Sequence, residues 1–199
     1  MSIGRALVGA VLAVAVGGCA LLLDRPQPAR YYLLTAVANQ RLSSRPDLII
    51  GLGPIRIASY LDRPSLLTRL DANRVQPSNV DLWAAPLPQS VTAVLVENLQ
   101  SLLGPRQVII YPWYRTAKVA CHVRLDIRNL ERRPGGITFA ARWSVEELGG
   151  DGTLRRGTTD VDHAVTPDTP DAAAAALREA MGQLSEDIAR AVDEVTAAR

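Results

Sequence analysis

Between residues 119 and 127 every second position is apolar. Val119, Cys121, Val123, Leu125 and Ile127 alternate with Ala120, His122, Arg124 and Asp126. A period of two marks a strand with one buried and one wet face, and it places His122 on the wet one. The alternation returns at Ile137, Phe139, Ala141, Trp143 and Val145 after a Pro134-Gly135-Gly136 turn. Residues 148–153 (LGGDGT) form a second turn signal, leading into a polar strand over about 154–165. Three strands joined by short Gly-rich turns predict an antiparallel meander.

Elsewhere the period is different. Val91, Leu95, Leu99 and Leu102, widened by Val94 and Leu103, recur at three- and four-residue intervals, and Gly104-Pro105 ends the run. Residues 86–103 therefore predict an amphipathic helix. Thr169-Pro170-Asp171 is a helix start, with Thr as N-cap, Pro at the first position and Asp near the positive end of the dipole. Leu177, Met181, Leu184, Ile188, Val192 and Val195 stripe the helix that follows. Short strands are expected over 31–37, 48–61, 65–70, 73–76 and 106–111. Gly51, Gly53 and Pro54 suggest an irregular or edge position for the second of these. The fold class is α+β: a mainly antiparallel or mixed sheet with two amphipathic helices packed on it.

The first apolar run needs a separate account. One basic residue, Arg5, precedes residues 6–16 (ALVGAVLAVAV), and Gly17-Gly18-Cys19 follows. A basic start, an apolar stretch of this length and small residues at the end have the shape of a secretory signal. The run falls short of the roughly 20 apolar residues of a membrane span, although Ala20 to Leu23 extend it towards an anchor helix. Val16-Gly17-Gly18-Cys19 resembles a bacterial lipobox, in which the cysteine thiol is diacylated and the chain is cut before it. The resemblance implies a signal peptide over 1–18, a palmitate-type lipid on Cys19 and a tether over 19–30. Ala20 stands where an Asp would retain such a lipoprotein in the inner membrane, which implies the outer membrane, periplasmic face. Residues 31–199 then form one domain.

Composition narrows the chemistry. The net charge is +2, lysine occurs once, and acids interleave with arginines throughout, so no dense basic face suits nucleic acid. Two cysteines make neither a disulfide framework nor a zinc site, and Cys121 alternates towards the core. Gly51-Leu52-Gly53-Pro54 lacks the further glycines and the helix start of a phosphate loop. Asp160 and Asp162 share a strand face that His163 leaves, so they diverge as metal ligands. There is no Gly-x-Ser-x-Gly elbow. No catalytic residue, cofactor or metal is expected, and the chain does not read as an enzyme.

Two segments remain: Leu61-Asp62-Arg63-Pro64 and Trp83-Ala84-Ala85-Pro86-Leu87, with Tyr31-Tyr32-Leu33-Leu34 ahead of them. Together they resemble the PqiC family, the auxiliary lipoproteins of ABC-type and MCE lipid transport systems. On the residues themselves, Asp62 is placed to accept backbone N–H groups in a turn where Pro64 fixes φ. Trp83 is placed over the start of the first helix. Leu61, Asp62, Arg63, Pro64, Trp83, Pro86 and Leu87 either meet a partner or only maintain the fold. The resemblance implies a fold similar to the N-terminal domain of TolB. It also implies a non-catalytic docking role towards a periplasmic MCE-domain protein, support of envelope integrity, and a homo-oligomer. A lipoprotein regulator of a peptidoglycan synthase is the alternative, but residues 24–30 are short for a tether through the cell wall.

Overall fold

The protein is described by a computed structural model covering residues 27–37, 40–114 and 116–197. The expected signal peptide over 1–18 and the expected lipid-bearing Cys19 lie outside the described residues. In chain order the elements are β1 (Arg30–Tyr32), β2 (Ile49–Ile57), β3 (Ser65–Arg69), β4 (Val75–Trp83), α1 (Leu87–Leu103), β5 (Gln107–Ile110), β6 (Cys121–Arg133), β7 (Gly136–Glu147), β8 (Leu154–Ala164) and α2 (Pro170–Thr196).

The eight strands make one mixed, open sheet with β6 as its spine. β7 pairs antiparallel along the whole of β6, and β8 pairs antiparallel with β7, which is the expected meander. The other edge of β6 is divided. β2 runs parallel to its first half, from Ile50↔Cys121 to Ile57↔Ile127. The chain then turns through a short 3-10 segment, Ser59–Leu61, and β3 meets the far end of β6 at Thr68↔Arg132. β5 extends the first branch beside β2, while β4 and then β1 extend the second beside β3.

Both helices bury the stripes that their periodicity marks. Val91, Leu95, Leu99 and Leu102 of α1 and Leu177, Met181, Leu184, Ile188 and Val192 of α2 join Val123, Ile127, Ile137, Phe139 and Val145 in one core. Gly104 ends α1 in the left-handed conformation at φ 53°. The Thr169 hydroxyl accepts the Ala172 N–H and caps α2. Asn98 and Ser185, both fully buried, join the helices through a 2.9 Å hydrogen bond, and Asn98 Oδ1 accepts the Val37 N–H.

Four expectations change. The first strand covers only Arg30–Tyr32, because Leu34 turns into the core and the Val37 N–H is met by a side chain instead of a ladder. The strand expected over 73–76 is the nine-residue β4, whose polar first half carries no alternation. β2 is irregular as expected, with a bulge between Leu52 and Ile55, yet it lies between β5 and β6 and not at an edge. Gly53 holds the bulge at φ 113°.

His122 is the fourth. It does face away from the helices, but the Trp113 indole covers it edge-on at 4.8 Å between centroids, leaving it 8% exposed. Gly51 makes that cover fit, since a Cβ there would stand 2.6 Å from Trp113 Cη2. His122 Nε2–H donates to the Gly53 carbonyl. Burial pushes the imidazole below its ordinary value of 6.5, and Arg124 adds to this. The unfolded chain therefore binds a proton here that the folded chain resists. The contribution of neutral His122 is complete above pH 6.5 and is lost as pH falls from there through the lower folded value. Thermal unfolding followed from pH 7.5 to 5 is expected to show a falling midpoint, and the fall is expected to be shallower in His122→Gln.

Candidate docking site

The two sequence motifs, twenty residues apart, meet. Asp62, Arg63, Pro64, Trp83, Ala84, Ala85, Pro86 and Leu87 line one hollow of about 330 Å³. Every residue of the two motifs is in its wall except Leu61, which is 2% exposed and anchors the turn in the core. The contact is made by the backbone: the Trp83 N–H donates to the Pro64 carbonyl at 2.6 Å. The walls are mainly apolar, with buried Trp83 and Leu87, exposed Pro64 and Pro86, and the charged residues Asp62 and Arg63 exposed beside them. An apolar hollow with a few charges at its lip suits an anchor side chain better than it suits chemistry.

The turn carrying the first motif is not held as its residue types suggest. The Asp62 carboxylate accepts no hydrogen bond among the described residues. The Asp62 N–H reaches the Ser59 carbonyl, the Arg63 N–H reaches that of Leu61, and Arg63 Nε donates to Tyr60 O at 2.7 Å. Asp62 is thus free to face a ligand, and the turn is braced from behind.

That brace could not be read from the motif. Tyr60 donates its hydroxyl to the Arg128 carbonyl and accepts from Arg69 Nη2 and Asn129 Nδ2. Arg69 Nε in turn donates to Glu131 Oε1 at 2.5 Å, and the Glu131 side chain is wholly buried. Burial and the Glu131 carboxylate both push the Tyr60 phenol upward. Glu131 stands in the strand where the alternation of 119–127 has lapsed, which is why its burial gave no sequence signal.

A second acid fixes how the chain reaches the hollow. Asp81, 6% exposed, accepts Arg30 Nε at 2.8 Å, the Tyr32 hydroxyl and the Ser78 hydroxyl. These bonds pin β1 along β4, and the Ala84 N–H closes on the Tyr32 carbonyl. The first strand of the domain therefore runs beside the hollow, with Tyr31 and Leu33 exposed on the same edge. Among the described residues no three of His, Cys, Asp and Glu gather in a way that could hold a metal ion. No described helix is long and apolar enough to cross a membrane.

Comparison with known proteins follows from this geometry. No curated protein sequence matches. The crystal structure of an uncharacterized protein superposes with a TM-score of 0.68 at 18% identity, covering 83% of this chain and 99% of that one. The crystal structure of a protein from Xanthomonas campestris gives 0.65 at 16% identity, with 85% and 97% covered. At these identities the two structures establish the fold. The sequence family described as "ABC-type transport auxiliary lipoprotein component" matches residues 31–189, a span that contains both motifs, the brace, α1 and most of α2. The chain belongs to the family of ABC-type transport auxiliary lipoprotein components.

Proposed function

We propose that this protein is an outer-membrane lipoprotein, held by lipid on Cys19, that docks a periplasmic MCE-domain protein of an ABC-type lipid transport system. It acts as several copies around the end of the transport path and supports envelope integrity without catalysing a reaction. The observation that carries the reading is the meeting of Leu61–Pro64 and Trp83–Leu87 in one apolar hollow with charged, unbraced Asp62 on its rim. The hollow lies beside the strand that emerges from the tether, so a membrane-held copy presents it near the anchored end.

The test is co-purification of the full-length, detergent-solubilised lipoprotein with its neighbours from the native envelope. The wild type is expected to bring down an MCE-domain protein. The Asp62→Arg/Arg63→Glu double variant reverses the exposed charges of the hollow, at the cost of the Arg63–Tyr60 hydrogen bond, and is expected to lose at least about tenfold of it, equivalent to about 1.4 kcal/mol. Undiminished recovery by a variant with an unchanged unfolding midpoint would remove the hollow from the reading. Failure of the wild type to recover any MCE protein would remove the MCE partner.

A further inference from the structure

We propose that the helix-free face of the sheet binds an acidic segment of a partner protein, laid across the strands between two rows of arginine. The register builds these rows. Arg56, Asp126 and Arg142 stand opposite one another on β2, β6 and β7, and Arg124, Ser144 and Arg156 do so on β6, β7 and β8. Each row thus holds two arginines two strands apart, roughly 10 Å, and the rows are about 7 Å apart along the strands. Between them is an open hollow of about 340 Å³, with Pro54 and Ser144 in its wall.

The charge there is unsatisfied within the chain. Arg124 pairs with Glu146 at 2.8 Å, but Arg56, Arg142 and Arg156 make no ion pair or side-chain hydrogen bond among the described residues. Elsewhere Arg74, Arg155 and Arg190 each sit on a carboxylate of this chain, while exposed Arg41, Arg63, Arg106 and Arg128 form no ion pair among the described residues but stand apart from one another in sequence. Guanidinium forks match carboxylates in pairs, so three unpaired ones on one surface call for an acidic ligand.

Two observations select a polypeptide of another protein. Asp126 stands between Arg56 and Arg142, where it would repel a phosphate bridging the pair. A peptide meets the same plus, minus, plus order by placing a cation or amide between two acids. Carboxylates about 10 Å apart on one face occur at i, i+7 on a helix or i, i+3 on a polyproline II chain. A second copy of this chain fits less well. The acids on its outer helix face, Glu179, Glu186, Asp187 and Glu194, are already paired with Arg178, Arg190 and Arg155.

This surface shares no residue with the motif-lined hollow, so the inference stands apart from the docking reading. The test places a photo-crosslinking amino acid at Ser144 of the full-length lipoprotein in its native cells, with sequencing of the crosslinked product. The expected product is a segment of another protein carrying at least two acids. Its yield is expected to fall about tenfold in Arg142→Glu/Arg156→Glu and, in isolated membranes, at high salt. Arg142→Gln/Arg156→Gln, milder for folding, is expected to show the same direction. A product on this chain's own α2, a product on lipid, a non-acidic segment, no product, or a yield indifferent to both double variants would each overturn the proposal. Loss of MCE recovery in the Asp62/Arg63 variant leaves this result unaffected, so the two readings fail separately.

Discussion

Arg69→Ala is expected to lower the free energy of unfolding by about 3–5 kcal/mol, measured by chemical denaturation. The figure comes from what the substitution leaves behind. Glu131 is wholly buried, its Oε1 takes Arg69 and Asn129, and its Oε2 has no partner among the described residues. Without Arg69 the carboxylate must stay charged in the interior, take up a proton or drag water in, and each route is costly. Arg69→Ala also frees one support of Tyr60, so the Asp62–Pro64 turn is expected to loosen. Glu131→Gln tests the cause. It keeps the shape and removes the stranded charge, so adding it to Arg69→Ala should recover part of the loss. A double variant as unstable as the sum of the singles would show that the charge is not what matters.

Phe139→Ala is expected to cost a similar about 3–5 kcal/mol. Phe139 is the chain's one phenylalanine and is 1% exposed, between Leu130 of β6 and Val161 of β8. It sits where the bulge between Ile127 and Asn129 shifts the pairing of β6 with β7. Neighbours held by two ladders cannot close over the space, so the cavity persists and adds to the lost transfer energy. The measurement is the denaturation midpoint at unchanged m-value, and Phe139→Leu is expected to lose much less. A loss below about 1 kcal/mol for Phe139→Ala would mean that the sheet relaxes there after all.

These two residues show what the sequence could and could not reveal. Phe139 was legible because the meander is local: strands joined by short turns must pair with each other, and alternation names the buried face. Both helices were legible through their stripes and through Thr169 and Gly104. Arg69 and Glu131 were not, since their contact joins residues far apart and neither follows a period. Only the start of β4 was legible, because its residues alternate only where they approach Trp83. His122 was placed on the correct face, but its cover comes from Trp113, a residue outside any regular element. The candidate site was half legible. The motifs name residues that line the hollow, while their meeting, and the brace under Tyr60, depend on a sheet order that local patterns do not encode.

The divided edge of β6 has a mechanical consequence. A pull on the amino-terminal end is loaded first onto β1, then onto β4 and β3. From there it reaches the rest of the sheet through the rung Thr68↔Arg132, the clamp of Arg69 on Glu131 and the Tyr60 hydroxyl on the Arg128 carbonyl, backed by Leu61, Leu66, Leu67 and Trp83 in the shared core. The β2 branch, bound along half of β6, lies off this line. Tension between a membrane and whatever the domain grips would thus fall on these few polar links and the apolar packing beneath them. Their strength sets the force at which the anchored edge would peel away while the helices and meander stayed folded.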